Sequence, residues 1–254
     1  MKKAKWLVTA LSILAFGAGA AFAEDKIALE LTSDYFSKYI WRGQNLVDDS
    51  VFQPGLSASY GGITAGIWGS MELTNVNSNN DEFTEVDYSL EYSGDIPRLS
   101  SIGYSVGLIY YDFPNTNIKD TTELYWGLNF DLPASPYITC YYDLDEAEGI
   151  YVSLGVGHSI EKIVEFSPEV PVGMEIGAGF GWGSGSYNKY YWGTNQSELN
   201  DFILSASFPI EVIGSTVAPT LNYITLLSDE IRDADAYSTD SDFFFVGASF
   251  SKGF

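Results

Sequence analysis

Thr84-Glu-Val-Asp-Tyr-Ser-Leu-Glu-Tyr-Ser93 alternates strictly between polar and apolar residues from Glu85 onward. Val86, Tyr88, Leu90 and Tyr92 share one parity; Glu85, Asp87, Ser89 and Glu91 share the other. Successive side chains of a β-strand point to opposite faces. The segment therefore carries one wholly apolar face and one face with three carboxylates. That split suits a strand with lipid on one side and water on the other, since a carboxylate facing hydrocarbon is costly.

The same rhythm runs along the chain. Leu29, Leu31 and Tyr35 oppose Glu30, Thr32 and Asp34. Phe52, Leu56 and Tyr60 oppose Gln53, Ser57 and Ser59, and the Gly61-Gly62 pair turns the chain into a return strand that ends near Glu72. Tyr104, Val106 and Leu108 oppose Gly103, Ser105 and Gly107; Leu124, Trp126 and Leu128 oppose Glu123, Gly127 and Asn129. Further strands follow at Tyr137–Leu144, from Ile150, at Val172–Trp182 with Glu175 on the polar face, at Phe202–Phe208, at Thr216–Leu226 and at Phe243–Phe254. An open sheet edge does not survive in hydrocarbon, so a chain built of such segments has to close. The expectation is an all-β, up-and-down antiparallel transmembrane barrel of about twelve strands. An even number returns both termini to one side.

The connections support that parity. Those after even strands are mostly short, as at Gly61-Gly62 and Pro133–Pro136; those after odd strands are often longer and polar, as at Lys38–Ser50, Ser184–Asn195 and Ser228–Asp240. Glu161–Val170 is long for a turn, and Asp145–Gly149 is short for an outer loop.

Met1–Ala23 reads as a secretory signal: Lys2, Lys3 and Lys5, then an apolar stretch, then Ala21-Phe22-Ala23. The barrel domain is expected over residues 24–254. Loss of the leader takes Lys+Arg from 12 to 9 against 34 Asp+Glu, so the formal charge moves from −22 to −25. Such a balance argues against nucleic acid as a partner. Cys140, the single cysteine, cannot form an internal disulfide and reads as a small strand residue. Aromatic residues make up 16% of the chain, in keeping with girdles at two membrane boundaries.

Thr32-Ser-Asp-Tyr-Phe-Ser-Lys-Tyr-Ile-Trp-Arg-Gly-Gln44, followed by Phe52-Gln53-Pro54-Gly55 and Gly66-Ile67-Trp68-Gly69-Ser70, resembles the opening of the TorF-type porins of Gram-negative outer membranes. The resemblance implies an outer-membrane barrel and names neither a substrate nor a catalytic residue. Lys252 departs from it, because the position two before the terminal aromatic is usually apolar; Phe250 and Phe254 keep the phase of a barrel-assembly signal.

Candidate site residues follow from the polar parity. Glu30, Asp34, Glu72, Glu85, Asp87, Glu91, Glu123 and Glu175 fall on the inward phase and would favour cations in a water-filled lumen. Alternatively they pair with Arg42, Lys38, Arg98 or Lys119 and fill the interior. Arg42 reads either as a constriction contact on an inward-folded loop or as a turn residue pairing with Asp48 or Asp49. The acidic loops 143–148 and 229–242 lack the spacing of an EF-hand and read as solvated. No enzyme is expected: the sole histidine, His158, lies on the outward phase, and no nucleophile motif, metal cluster or cofactor-binding loop is present.

The expected function is passive diffusion of small polar or cationic solutes through the outer membrane of a Gram-negative bacterium, after export through the periplasm. The expected partners are outer-membrane lipid and, through the last strand, the barrel-assembly machinery. A non-conducting barrel with a structural or surface-binding role is one rival. A soluble secreted barrel, with its apolar phase around a ligand or core, is the other.

Overall fold

The computed structural model describes residues 26–167 and 170–254; the signal segment read at Met1–Ala23 lies outside them. Twelve antiparallel strands form the wall: β1 (Ala28–Phe36), β4 (Val51–Tyr60), β5 (Ile63–Glu72), β6 (Phe83–Ile96), β7 (Leu99–Asp112), β8 (Thr121–Phe130), β9 (Tyr137–Asp143), β10 (Ile150–Ser167), β11 (Val170–Gly183), β12 (Glu198–Ser207), β14 (Ser215–Leu226) and β15 (Asp242–Gly253). Each pairs with its neighbours in the chain, and β1 pairs with both β4 and β15, which closes the sheet. Phe254 seals the seam by exchanging backbone hydrogen bonds with Leu29. The short β13 (Ile210–Val212) bridges β11 and β14 at the end that carries the termini.

The apolar parity is the outer surface. Leu56, Ile67, Tyr88, Leu90, Leu108, Trp126, Leu154, Ile176, Leu204 and Val246 are all exposed. A soluble barrel would enclose that set, so the soluble reading is overturned. His158 is exposed as well, in line with its outward parity. At Gly61 and Gly62, φ is +59° and +87°, the left-handed pair that a two-residue hairpin turn demands. Of the stretch Glu161–Val170, long for a turn, Glu161–Ser167 is instead wall that extends β10, and Val170 opens β11. The brief Asp145–Gly149 connection is ordered by Asp143. Its Oδ1 accepts from the amides of Asp145, Glu146 and Ala147, and its Oδ2 accepts from the Thr121 hydroxyl.

The connection between β1 and β4 does not stand out in solvent. It forms a second, two-stranded sheet, β2 (Tyr39–Trp41) and β3 (Gln44–Val47), that folds into the barrel. Tyr39, Ile40, Trp41, Arg42, Gln44, Asn45 and Val47 are all buried there. Two loop helices sit at the same end: α1 (Gly185–Tyr191), capped by Ser184, and α2 (Asp229–Arg232). The wall and hairpin together enclose a core absent from the outward face. Tyr39, Trp41, Val47 and Val51 pack with Ile109, Tyr111, Tyr125, Tyr141, Tyr151 and Tyr187, while Ile40 packs with Ile203, Ile224, Phe243 and Phe245.

Candidate functional site: a hairpin inside the lumen

At the tip of the β2–β3 hairpin stand Arg42 and Gly43, with φ of +50° and +80°. Both central residues of a type I′ turn need positive φ, which glycine adopts freely and arginine does not. A Cβ at Gly43 would come within 2.7 Å of the Leu226 side chain and 3.1 Å of Asp201. Gly43→Ala is therefore expected to cost about 1 kcal/mol or more from backbone strain, with the contact to Leu226 adding to it. The check is a lower unfolding midpoint of the detergent-solubilised barrel than for an alanine placed on an exposed loop.

The strain at Arg42 is held in place by what its side chain reaches. Its Nη1 and Nη2 donate to Glu123 Oε1 and Oε2 at 2.7 and 2.8 Å, a bidentate pair spanning 81 residues of sequence. The Tyr111 hydroxyl donates to the same Oε2 at 2.8 Å. The guanidinium carbon lies 4.3 Å from the ring centres of Trp41 and Tyr141 and 4.5 Å from that of Tyr151. Within such distances a cation is attracted to the ring faces, more strongly once desolvated. Gln44 Nε2 donates to the Tyr187 hydroxyl, which ties the hairpin to α1. Arg42 Nε finds no protein acceptor. Arg42 lines a void of about 10 Å³ shared with Tyr151, Ser153 and Asp201, room for a single water. Arg42 is thus a turn residue, as one reading had it, but it does not pair with Asp48 or Asp49. Lys38 takes Asp48 at the hairpin's base. That contact, with Asn45 adding to it, holds the Asp48 carboxyl below its ordinary range.

The acidic set divides by depth. Glu72, Glu85, Asp87, Glu91 and Glu123 are buried around the hairpin, as are Asp143 and Asp201, which the parity reading did not single out. Glu91 accepts from the Tyr125 hydroxyl at 2.8 Å and Asp201 from that of Tyr151 at 2.9 Å. Glu72 Oε1 accepts from Asn77 and Asn79, which draws the next loop over the rim. Glu30, Asp34 and Glu175 are only partly buried, and the Ser207 hydroxyl donates to Glu175. Lys38 and Lys119 do not neutralise the interior: the first bonds Asp48 and the second Glu146, both in outer connections. Among the described residues, seven buried carboxylates face one buried guanidinium. Phe250 lies in the closing strand opposite Ser33 and Val217, and Phe254 is largely exposed.

Tyr151 falls on the inward phase by parity, whereas Tyr111, Tyr141, Phe243 and Phe245 were not singled out as inward. These four lie in aromatic runs, Tyr110-Tyr111, Tyr141-Tyr142 and Phe243–Phe245, where both faces of the strand are apolar. Such a run signals that the interior itself holds an apolar body.

A closed twelve-strand wall with an apolar exterior, an acidic interior and an inward-folded first loop defines an outer-membrane, porin-like β-barrel. The chain belongs to the Gcw_chp family, bacterial proteins of unknown function, whose model matches residues 26–162, more than half of its length. Among solved structures it is similar to LpxR from Salmonella typhimurium, with a TM-score of 0.53 at 8% identity over 88% of this chain and 99% of that one. The NanC porin gives 0.48 at 10% identity over 88% and 98%. The COG4313 outer membrane channel from Pseudomonas putida F1 gives 0.42 at 7% over 91% and 97%. At such identities the likeness is one of fold. No curated protein matches. Of the resemblance to TorF-type porins, these findings bear out the outer-membrane barrel and not the family name.

Proposed function

We propose that this barrel is an outer-membrane diffusion channel for small polar solutes, biased toward cations, with the β2–β3 hairpin as its gate. The observation that carries the reading is the imbalance of buried charge: among the described residues, seven buried carboxylates against one buried guanidinium, which is itself spent on Glu123. Carboxylates lining a pore attract cations and repel anions, and a low-dielectric wall strengthens the effect. Passage is passive; the polar interior lowers the barrier that hydrocarbon sets. The termini, and the short turns beside them, face the periplasm in this reading, while the hairpin enters from the outer side.

The test is the reversal potential of the refolded protein in a planar bilayer under a salt gradient. A shift toward the cation equilibrium value is expected, reduced in the double variant E85Q/D87N. A reversal potential at zero or on the anion side would sink the selectivity. The filled outer half of the lumen favours a second reading, a barrel that conducts nothing and works through its loops. Total absence of current, in the native chain and in chains with the hairpin released, would select it.

A further inference from the structure

Asp87 is the anomaly of the lumen. Its side chain lies on the inward face of β6, toward the end that carries the hairpin, 1% exposed, and neither carboxylate oxygen has a hydrogen-bond partner. A buried charge without a partner costs several kcal/mol, so such a carboxyl either holds a proton or is supplied with a counter-charge. No described residue supplies one. Arg42, the one buried cation among the described residues, gives both Nη groups to Glu123. Lys38 and Lys119 bond acids in outer connections.

What surrounds Asp87 adds negative charge and ring faces. Glu85, two residues away on the same inward face, is buried and accepts a hydrogen bond from the Tyr39 hydroxyl. Glu123 and Asp112 are within electrostatic reach. Trp68 on β5 and Tyr111 on β7 stand directly opposite Asp87 in register, and the Tyr39 ring lies against Trp68 at 5.9 Å between centres. The hairpin's foot thus covers a carboxylate pair with aromatic rings, whose faces attract cations.

From this arrangement we infer that Asp87 and Glu85 form a binding site for one small monovalent cation, an alkali ion or ammonium, enclosed beneath Tyr39. The size follows from the burial: Asp87 is 1% exposed and Glu85 is buried beside it, so the occupant is a small ion that sheds its water. The single charge follows from the donors. Ca²⁺ takes six to eight oxygens and Mg²⁺ keeps several of its waters, and among the described residues no three acidic, histidine or cysteine side chains converge to hold a metal. The site deepens the cation-biased reading of the lumen, yet it requires no current.

The experiment therefore reads stability and not conductance. The folded fraction of the detergent-solubilised barrel is followed on heating, by heat-modifiable gel mobility and by circular dichroism. Solutions of equal ionic strength contain either Na⁺ or N-methylglucamine as the sole cation. A ligand that binds only the folded state raises Tm with the logarithm of its concentration once above Kd. The native chain is expected to show that rise in Na⁺ and none in N-methylglucamine. D87N, which keeps shape and removes charge, is expected to abolish the dependence, and E85Q to weaken it. E211Q, on the exposed β13, serves as a control that retains it. If D87N does not fold, the comparison of the two cations in the native chain stands alone as the test. Equal Tm in both cations, or a dependence that survives in D87N, overturns the site. A barrel that passes no ions yet shows the Na⁺ effect would remove the channel and leave the site.

Discussion

Arg42→Gly is expected to free the hairpin from the lumen while leaving the wall intact. Glycine accepts the positive φ at position 42, so the turn survives and only the side chain is lost. What disappears is the bidentate bond to Glu123 and the packing of the guanidinium against Trp41, Tyr141 and Tyr151. Removing one partner of a buried pair costs about 3–5 kcal/mol, because the other is left charged in a poor solvent. Applied to the docking of the hairpin alone, that is roughly two to four orders of magnitude in the docked population. The wall is held by its own ladders, β1 between β4 and β15 included, none of which passes through position 42.

The expected result can be read chemically. Gln44 is buried beside the turn, so a Q44C probe, in a chain whose outward Cys140 is replaced by serine, should react slowly with a membrane-impermeant thiol reagent. In the R42G background it should react quickly, and single-channel conductance should rise in step. E123L should behave like R42G, whereas the double variant R42L/E123L should recover much of the protection, since replacing both members of a buried pair with apolar groups is often neutral. Unchanged labelling in R42G would mean that the hairpin is held by Ile40 and its neighbours and that the ion pair is no latch.

The reach of Arg42 also marks where sequence reading ends. The wall is legible because its cause is local: Leu90 beside Glu91 can satisfy lipid and water only by alternating. Strand number and the parity of loop lengths follow from the same rule. The hairpin is different. Arg42-Gly43 announces a turn, but nothing near it announces Glu123, which arrives by closure of a barrel whose register no short segment encodes. The one local hint is that Tyr39, Ile40 and Trp41 form an apolar run inside an otherwise polar connection. A solvated loop has no use for such a run, and the inward Tyr111, Tyr141, Phe243 and Phe245 on three strands have no use for an empty lumen. Taken together they specify a filled one. The carboxylates were legible as inward but not as a depth profile: Glu85 and Glu30 share a parity, and only the position of the hairpin makes the first buried and the second partly open.

Orientation itself is tested by Leu90→Arg against its neighbour Ser89→Arg. Leu90 sits at the middle of β6, 54% exposed, with outward Ala65 and Leu108 as its partners on the flanking strands. In a membrane that position meets acyl chains near the midplane, where an arginine on a barrel's lipid face costs about 2–4 kcal/mol. Ser89 pairs with Gly66 and Ile109 and points into the lumen, two residues from Asp87 and from Glu91. A guanidinium there gains acidic neighbours and displaces only a small side chain. L90R is therefore expected to lower the folded fraction on heat-modifiable gels and the urea midpoint in lipid vesicles, while S89R folds and loses cation preference. One register step separates the two variants, so composition, strand propensity and loop effects are matched, and only the facing medium differs. Tolerance of L90R together with failure of S89R would put the apolar parity inside, and no membrane-spanning barrel could then be built from this alternation.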